Sequence, residues 1–284
     1  MRTVGSVAQL RKALEGPRRA GRRIGLVPTM GALHAGHLSL VARARDECDE
    51  VVVSLFVNPA QFDDAADLEA YPHDPERDAA LAAEAGADVL FAPPHAEVYP
   101  PGFATTVTVG GVSAPLEGRA RGAAHFAGVA TVVCKLLNMA QPHVAYFGQK
   151  DAQQVAVVRR LVRDLDIPVA IEVVATVRDP DGLALSSRNA RLRADERARA
   201  LALRRALDAV RARAAGGERD PAALAAAGRA AMQALSVEPE YVALVAPDTF
   251  APVAAVGDDR VLVAVAARIG DVRLIDNDIL EGGS

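Results

Sequence analysis

The stretch "RIGLVPTMGALHAGHLSLVARARDECDE", residues 23–50, predicts a strand, a loop and a helix in that order. Its first part, Arg23 to Thr29, is a continuous apolar run that is typical of a strand buried on both faces. Its last part, from Leu38 onward, has the apolar spacing of an amphipathic helix. Two histidines, His34 and His37, lie in the connecting segment. The stretch therefore predicts one unit of an α/β fold, with polar side chains at the carboxyl end of a strand.

The same alternation continues along the chain. Further strands are predicted at residues 50–57, 87–93, 143–148 and 169–177, with helices near 6–15, 75–85, 125–140 and 152–164. Apolar strands that alternate with helices favour a doubly wound parallel sheet covered on both faces. Ligands bind such sheets at the carboxyl ends of the strands. The segments "MGALHAGH" (30–37), "NPAQF" (58–62) and "GQKD" (148–151) each follow a strand, so we expect them to form one site.

The character of the sequence changes near Arg178. The polar segment "RDPDGLALSSRN" (178–189) is typical of a linker. Two helices rich in Arg and Ala and three short strands then predict a small α+β domain. We place the first domain at residues 1–176 and the second at 177–284.

Composition excludes several functional classes. The formal net charge of -4 provides no basic field for non-specific binding to nucleic acid. We see no apolar run near the roughly 18 residues that span a bilayer, and no N-terminal targeting segment. Cys48 and Cys134 stand alone, without the CxxC spacing of a zinc site or a disulfide framework. We expect a cytoplasmic protein with no membrane or nucleic-acid partner.

The "HAGH" segment has the chemistry of an anion site. Gly31 and Gly36 permit a tight turn, and the helix that starts at Gly36 offers unpaired N–H groups and a positive dipole end. His34 and His37 would add two imidazole donors. Two alternatives remain at this point: one histidine packs in the core while the other is solvated, or the pair binds a metal, although spacing identifies no third ligand. The chain has no GxxxxGK[ST] and no GxGxxG that opens a helix after a strand, so the histidines and the helix start would have to hold any nucleotide phosphates.

Three other polar segments could face the same ligand. Arg is common in this chain but Lys occurs only as Lys12, Lys135 and Lys150; Lys150 follows a strand and is either a point charge for phosphate or part of a surface turn. The segment "LSSRN" (185–189) offers hydroxyls and a guanidinium, or else a helix cap at Ser187 or Asn189. The neutral amides of Gln61 and Gln154 could bind a hydroxy acid and leave its carboxylate nucleophilic.

At this point the chain resembles a known family. "HAGH" is similar to the HIGH motif of the nucleotidyltransferase superfamily, and "LSSRN" to the second, mobile motif of that superfamily. An ordered set of segments that spans residues 28–277 resembles the pantoate–β-alanine ligase (pantothenate synthetase) family: "PTMGALHAGHLSL", "SLFVNPAQF", "EAYPHD", "HFAGVATVV", "AYFGQKDAQQ", "RDPDGLALSSRN" and "RLIDN".

The resemblance implies a fold and a reaction. The fold is a Rossmann-like doubly wound parallel sheet with a smaller C-terminal α+β domain that serves as a lid and in dimer contacts, in a homodimer. ATP, as co-substrate with Mg²⁺, adenylates (R)-pantoate and releases pyrophosphate; the amine of β-alanine then attacks the adenylate to give pantothenate and AMP. Two alternatives remain: another HIGH-motif nucleotidyltransferase that acts on a phosphate ester, and a non-catalytic nucleotide sensor.

The resemblance also implies the site residues. His37, His34 and Lys150 are catalytic, with His37 the acid-type group. Gln61 and Gln154 bind pantoate, Gln61 also binds β-alanine, and Asp78 is near a position tied to the metal. ATP contacts Met30, Gly31, Ala32, Leu33, His34, Ala35, Gly36, His37, Gly148, Gln149, Lys150, Asp151, Val177, Leu185, Ser186, Ser187 and Arg188.

Four positions depart from the family pattern. Leu185 stands in place of the usual Met, and His73 in place of a common Arg. Ala243 and Ala246 replace acidic residues that are frequent in the first strand of the small domain. These departures leave the predicted catalytic groups in place.

Overall fold

The computed structural model describes residues 1–62, 68–69 and 71–282 and divides the chain into two units. The first unit contains residues Met1–Gly148 and Val157–Ala175. The second contains Gln149–Ala156 and the chain from Thr176 onward. The longer part of the second unit begins at Thr176, one residue before the start predicted for the second domain. The segment Gln149–Ala156, which the sequence places in the first domain, belongs with the second unit.

A parallel sheet of six strands forms the centre of the first unit. The strands are β1 (Arg2–Val4), β2 (Ile24–Thr29), β3 (Glu50–Leu55), β4 (Val89–Phe91), β5 (Val144–Gly148) and β6 (Ala170–Val174). Their spatial order is β1-β4-β3-β2-β5-β6. From β2 the chain moves to β3 and β4 on one side, and β5 and β6 lie on the other. The topological switch point is therefore between β2 and β5, where doubly wound sheets bind ligands.

Helices connect these strands. They are α1 (Val7–Arg19), α2 (Ala35–Glu47), α3 (Pro75–Glu84), α4 (His95–Val98), α5 (Glu117–Arg121), α6 (Ala123–Ala140) and α7 (Ala152–Asp164), and a short 3₁₀ helix covers Pro59–Gln61. Local sequence sets several of their ends. At α1, for example, the Ser6 side chain accepts from the backbone N–H of Gln9, and the Gln9 side chain accepts from Ser6 N–H, which is a capping box.

Helix α6 corrects one expectation from the sequence. Among the described residues it is the one helix long and apolar enough to cross a bilayer by length and composition, so the statement that no such run exists was wrong. However, 61% of this segment is buried inside the structure. Phe126, Val129 and Leu136 are among its core residues. Such burial is typical of the core helix of a water-soluble domain.

The second unit has an antiparallel sheet with the order β7-β8-β9, which confirms the predicted α+β class. Its elements are 3₁₀ helices at Gln149–Asp151 and Ser187–Arg191, helices α8 (Ala194–Ala200), α9 (Ala202–Ala215) and α10 (Pro221–Gln233), and strands β7 (Pro239–Val245), β8 (Val261–Ile269) and β9 (Val272–Leu280). Leu203, Leu207 and Val265 are buried in its core.

The segment 178–189, predicted as a linker, is folded within the second unit. The guanidinium of Arg178 binds the Asp276 carboxylate through two bonds of 2.6 and 2.9 Å. Arg178 and Ala184 also form an antiparallel bridge. The Asp276 side chain is only 3% exposed, so this bidentate pair is well shielded from water and anchors the segment to β9.

Candidate active site

The loop between β2 and α2 takes an unusual backbone path. Gly31 and Ala32 have φ angles of +90° and +52°, in the left-handed region. The N–H of Gly31 donates to Thr29 Oγ1 at 3.3 Å. The N–H groups of Ala32 and Leu33 donate to the two carboxylate oxygens of Asp78, at 2.8 and 2.7 Å. Protein acceptors therefore already bind three consecutive backbone donors of this loop.

The structure brings the two predicted histidines together. The ring centroids of His34 and His37 are 4.1 Å apart, with a tilt of 34°. Both side chains are half-buried, which does not match the alternative of one core and one solvated histidine. His34 is also the N-cap of α2, because its Nδ1 accepts from Gly36 N–H at 3.1 Å. A neutral imidazole that accepts at Nδ1 carries its proton on Nε2, so His34 Nε2 is a donor.

The first turn of α2 corrects the expectation of unpaired amides. Gly36 N–H donates to the His34 ring, and the N–H groups of His37 and Leu38 both donate to the His34 carbonyl at 2.8 and 3.1 Å. The positive end of the helix dipole remains. An anion at this end would be bound by the imidazoles and the dipole, and not by these three amides.

Gln61, which is predicted to bind pantoate and β-alanine, has a protein partner at both polar atoms of its side-chain amide. Its Oε1 accepts from Asn58 Nδ2 at 3.0 Å, and its Nε2 lies 2.9 Å from Met30 Sδ. Asn58 is 1% exposed, and its Nδ2 also donates to the Gly128 carbonyl at 3.1 Å. Asn58 therefore fixes the orientation of the Gln61 amide. Sequence reasoning missed Asn58, although it lies in the "NPAQF" segment.

A tyrosine completes this chain of hydrogen bonds. Tyr99 donates its hydroxyl hydrogen to Asn58 Oδ1 at 2.8 Å. Burial raises the pKa of Tyr99 to about 12, so its phenol remains a donor at physiological pH. No sequence motif includes Tyr99. Its role follows only from the fold.

In the second unit, Asn277 holds the turn that carries Lys150. Asn277 Nδ2 donates to the carbonyls of Gln149 and Lys150 at 3.0 and 2.8 Å, and its Oδ1 accepts from Gln149 Nε2 at 2.9 Å. The Lys150 side chain is 19% exposed, with its Nζ 3.8 Å from Asp151 Oδ1. Asn277 belongs to the "RLIDN" segment, to which sequence reasoning assigned no role.

Lys150 and Ser186 line a common pocket within the second unit. Asn189 also lines it, and among the described residues its Oδ1 is a buried acceptor with no hydrogen-bond partner. Ser186 is the N-cap of the following 3₁₀ helix, since its Oγ accepts from Arg188 N–H at 3.3 Å. The segment therefore does contain a helix cap, as one alternative expected. The capping residue is Ser186, however, and not Ser187 or Asn189.

The remaining predicted residues lie in the following places. Leu185 N–H donates to the Val177 carbonyl at 3.0 Å, and Gly148 ends β5. Gln154 is half-buried near the start of α7, in the second unit. The ligand contacts predicted for these residues stay predictions.

Asp78 is the predicted metal residue. The residue as a whole is 1% exposed, and each of its carboxylate oxygens already accepts a backbone N–H. In the described parts of the chain, no group of three or more His, Cys, Asp or Glu side chains could hold a metal ion. No third His, Cys, Asp or Glu ligand for the histidine pair is therefore identified in those parts of the chain.

Comparisons with known proteins identify relatives over the full chain. The family model described as pantoate-beta-alanine ligase matches residues 2–279. A pantothenate synthetase from Roseiflexus castenholzii is 53% identical over 98% of each chain. The crystal structure of pantothenate synthetase from Thermus thermophilus is 50% identical, with a TM-score of 0.92 over 98% of this chain and 99% of that one. A pantoate-beta-alanine ligase from Francisella tularensis, described as complexed with beta-gamma ATP and beta-alanine, is 33% identical, with a TM-score of 0.81 over 98% and 97% of the two chains.

Proposed function

This chain belongs to the pantoate–β-alanine ligase family, and on that premise we propose that it condenses (R)-pantoate with β-alanine to form pantothenate. The enzyme is an ATP-dependent ligase. The geometric observation that supports the proposal most directly is the contact between His34 and His37, whose ring centroids are 4.1 Å apart. The pair lies directly after β2, at the sheet's switch point.

The first half-reaction forms a pantoyl adenylate. A carboxylate oxygen of pantoate attacks the α-phosphorus of ATP, the bond from that phosphorus to the bridging oxygen breaks, and pyrophosphate leaves. Negative charge increases on the phosphate oxygens in the transition state, so positioned donors and cations provide most of the catalysis. His34 and His37 donate to these oxygens, and Lys150 contributes a compact positive charge.

The second half-reaction forms the amide. The amine of β-alanine attacks the acyl carbon, the bond to the phosphate oxygen breaks, and AMP leaves with that oxygen.

Gln61 and Gln154 bind the pantoate through neutral amides, which do not neutralise the carboxylate that attacks ATP in the first half-reaction. The hydrogen bond from Asn58 to Gln61 Oε1 supports this role, because it directs the Gln61 amide nitrogen away from Asn58.

The other predicted ATP contacts belong to the same proposal. Residues 30–37 and the segments 148–151 and 185–188, with Val177, bind the nucleotide. Both Lys150 and Ser186 line one pocket of the second unit, which supports their joint role. That pocket is lined by residues of the second unit alone, so it accounts for only part of the predicted ATP contacts.

Magnesium is the cofactor that the resemblance implies with ATP. When bound, the ion neutralises phosphate charge. Mg²⁺ usually keeps several waters and is bound by one or two carboxylates together with substrate phosphates. Asp78, the residue that the resemblance ties to the metal, already accepts a backbone N–H at each oxygen in a buried position, which makes it a poor candidate for a metal ligand. We therefore assign no step to the ion.

We also propose a homodimer, which the resemblance implies, and a cytoplasmic location, which the composition of the sequence indicates. Light scattering after size-exclusion chromatography tests the first: a mass near twice 29.7 kDa supports the dimer, and 29.7 kDa contradicts it. Fractionation of the source cells tests the second.

ATP–pyrophosphate exchange tests the proposed reaction. With labelled pyrophosphate and no β-alanine, we expect label in ATP only when pantoate is present. Exchange that depends instead on a phosphate ester would favour another HIGH-motif nucleotidyltransferase. ATP binding without exchange under any condition would favour the nucleotide sensor.

A further inference from the structure

Asp78 makes two specific contacts to a distant loop. It lies in the first turn of α3, and its Oδ2 and Oδ1 accept from the backbone N–H groups of Ala32 and Leu33 at 2.8 and 2.7 Å. The residue as a whole is 1% exposed. Hydrogen bonds to an ionised acceptor are about twice as strong as neutral ones, and the N-terminal end of α3 further favours the negative charge.

The loop needs such an external support. Ala32 has a φ of +52°, a conformation that costs a residue with a Cβ free energy and persists only when its surroundings hold it. An added Cβ on Gly31 would lie 3.0 Å from Asp78 Oδ2. The carboxylate thus packs closely against the loop as well as binding it.

The supported residues directly precede the histidines. Leu33 is 1% exposed, and the next residue, His34, caps α2. A change in the backbone at Ala32 would rotate the peptide that leads into His34. The same change would alter the ring contact between His34 and His37.

We propose that Asp78 is a positioning residue: its carboxylate holds Ala32 in the left-handed conformation and so orients His34 and His37. Asp78 acts through the loop backbone and is not a ligand of Mg²⁺. This inference rests on the proposed catalytic role of the two histidines. It assigns Asp78 a function that requires neither ATP nor metal to be bound.

Amide hydrogen exchange in the free enzyme with EDTA tests the contact itself. We expect the variant Asp78→Asn to speed amide exchange at Ala32 and Leu33 by about 10-fold or more. In this variant the side-chain amide oxygen can still accept from one of the two backbone N–H groups, but its NH₂ group faces the other N–H and cannot accept from it. Glu76→Gln is the matched control. It removes a negative charge from the same helical turn at an exposed position, and exchange in the loop should not change.

A second substitution separates loop positioning from metal binding. Glycine adopts positive φ without the cost that alanine incurs. Ala32→Gly in the Asp78→Asn background should therefore recover part of the lost adenylation activity. Loss of a metal ligand could not be restored by a change at Ala32, so an absence of any recovery would count against the proposal.

The activity measurement completes the test. In pantoate-dependent exchange, Asp78→Asn should lower kcat by about 10- to 100-fold, with the half-saturating Mg²⁺ concentration unchanged. Normal loop exchange in EDTA, together with activity that high Mg²⁺ restores, would overturn the proposal in favour of a metal ligand. Normal activity per folded molecule would overturn it in favour of a purely structural contact.

Two further outcomes are also decisive. If Asp78→Asn does not fold, protection of the Ala32 and Leu33 amides in the wild-type enzyme with EDTA decides: slow exchange supports the contact, and unprotected exchange overturns it. If the wild type shows no pantoate-dependent exchange, the proposed reaction fails. The hydrogen-exchange measurement still reports on Asp78 in that case.

Discussion

His34 has two roles that a substitution by alanine would remove together. Its Nδ1 caps α2 by accepting from Gly36 N–H, and its Nε2–H is a proposed donor to phosphate. Loss of an N-cap costs about 1 kcal/mol of stability, whereas loss of one transition-state donor costs about 10²-fold in rate. At the scale of single residues, the task is to separate these two effects.

The variant His34→Asn achieves this separation. Asn is among the best N-cap residues, so Tm should stay near the wild-type value while adenylate formation falls by about 10²-fold. His34→Ala should lower both quantities. Thermal denaturation and ATP–pyrophosphate exchange measure them. Wild-type activity in a stable His34→Asn would show that the imidazole serves only as a cap.

A substitution at Tyr99 can separate the effect of its hydrogen bond from the effect of its ring packing. Tyr99→Phe removes the hydroxyl that donates to Asn58 Oδ1 but keeps the ring that packs against Phe103, with centroids 5.1 Å apart. Without this donor, the Asn58 amide loses one of the bonds that fix its orientation, and Gln61 becomes less ordered. We expect KM for pantoate to rise by about 2- to 10-fold, the value of one net hydrogen bond, with KM for ATP unchanged. An equal rise in both KM values would contradict the proposed role of Gln61.

At the scale of elements, the close approach of α6 to the Pro59–Gln61 turn positions Gln61. A Cβ at Gly128 would lie 2.1 Å from the Ala60 carbonyl oxygen and 2.8 Å from Gln61 N. The turn therefore touches the helix backbone directly. Only glycine permits this contact at position 128.

The pair Gly128→Ala and Gly16→Ala tests this contact. In a helix, Gly to Ala normally stabilises by about 1 kcal/mol. At Gly16, in α1, an added Cβ would meet nothing within 4 Å beyond its chain neighbours, but the following Pro17 disfavours helical backbone at a residue that carries a Cβ. We therefore use Gly16→Ala only as a kinetic control and expect it to leave KM and kcat unchanged. Gly128→Ala should lower Tm and raise KM for pantoate, because the turn must move. Unchanged kinetics in a folded Gly128→Ala would show that the turn does not set the position of Gln61.

At the scale of the whole molecule, local patterns predicted the elements and missed the contacts between them. Helix α7 has the predicted bounds and strand β2 begins one residue later than predicted, because apolar runs and periodicity are local signals. Strand β1 is three residues long, too short for a pattern to show.

The contacts that the sequence did not predict join residues far apart in the chain. Tyr99 and Asn58 are 41 residues apart, Asp78 and Ala32 are 46 apart, and Asn277 and Lys150 are 127 apart. No periodicity relates residues at such distances. The residues proposed to touch ligand lie in recognisable segments, whereas those that orient them became visible only in the fold.

The route of one oxygen atom tests the central claim, that the enzyme forms a pantoyl adenylate. Pantoate labelled with ¹⁸O at both carboxylate oxygens is incubated with the wild-type enzyme, ATP and β-alanine, and the products are analysed by mass spectrometry. In an adenylation, the attacking carboxylate oxygen stays on the α-phosphorus when the amine displaces AMP. We therefore predict one ¹⁸O in each AMP and none in the pyrophosphate. Label in inorganic phosphate together with ADP, or label in pyrophosphate together with unlabelled AMP, would show that the carboxylate attacks a different phosphorus and would contradict the account.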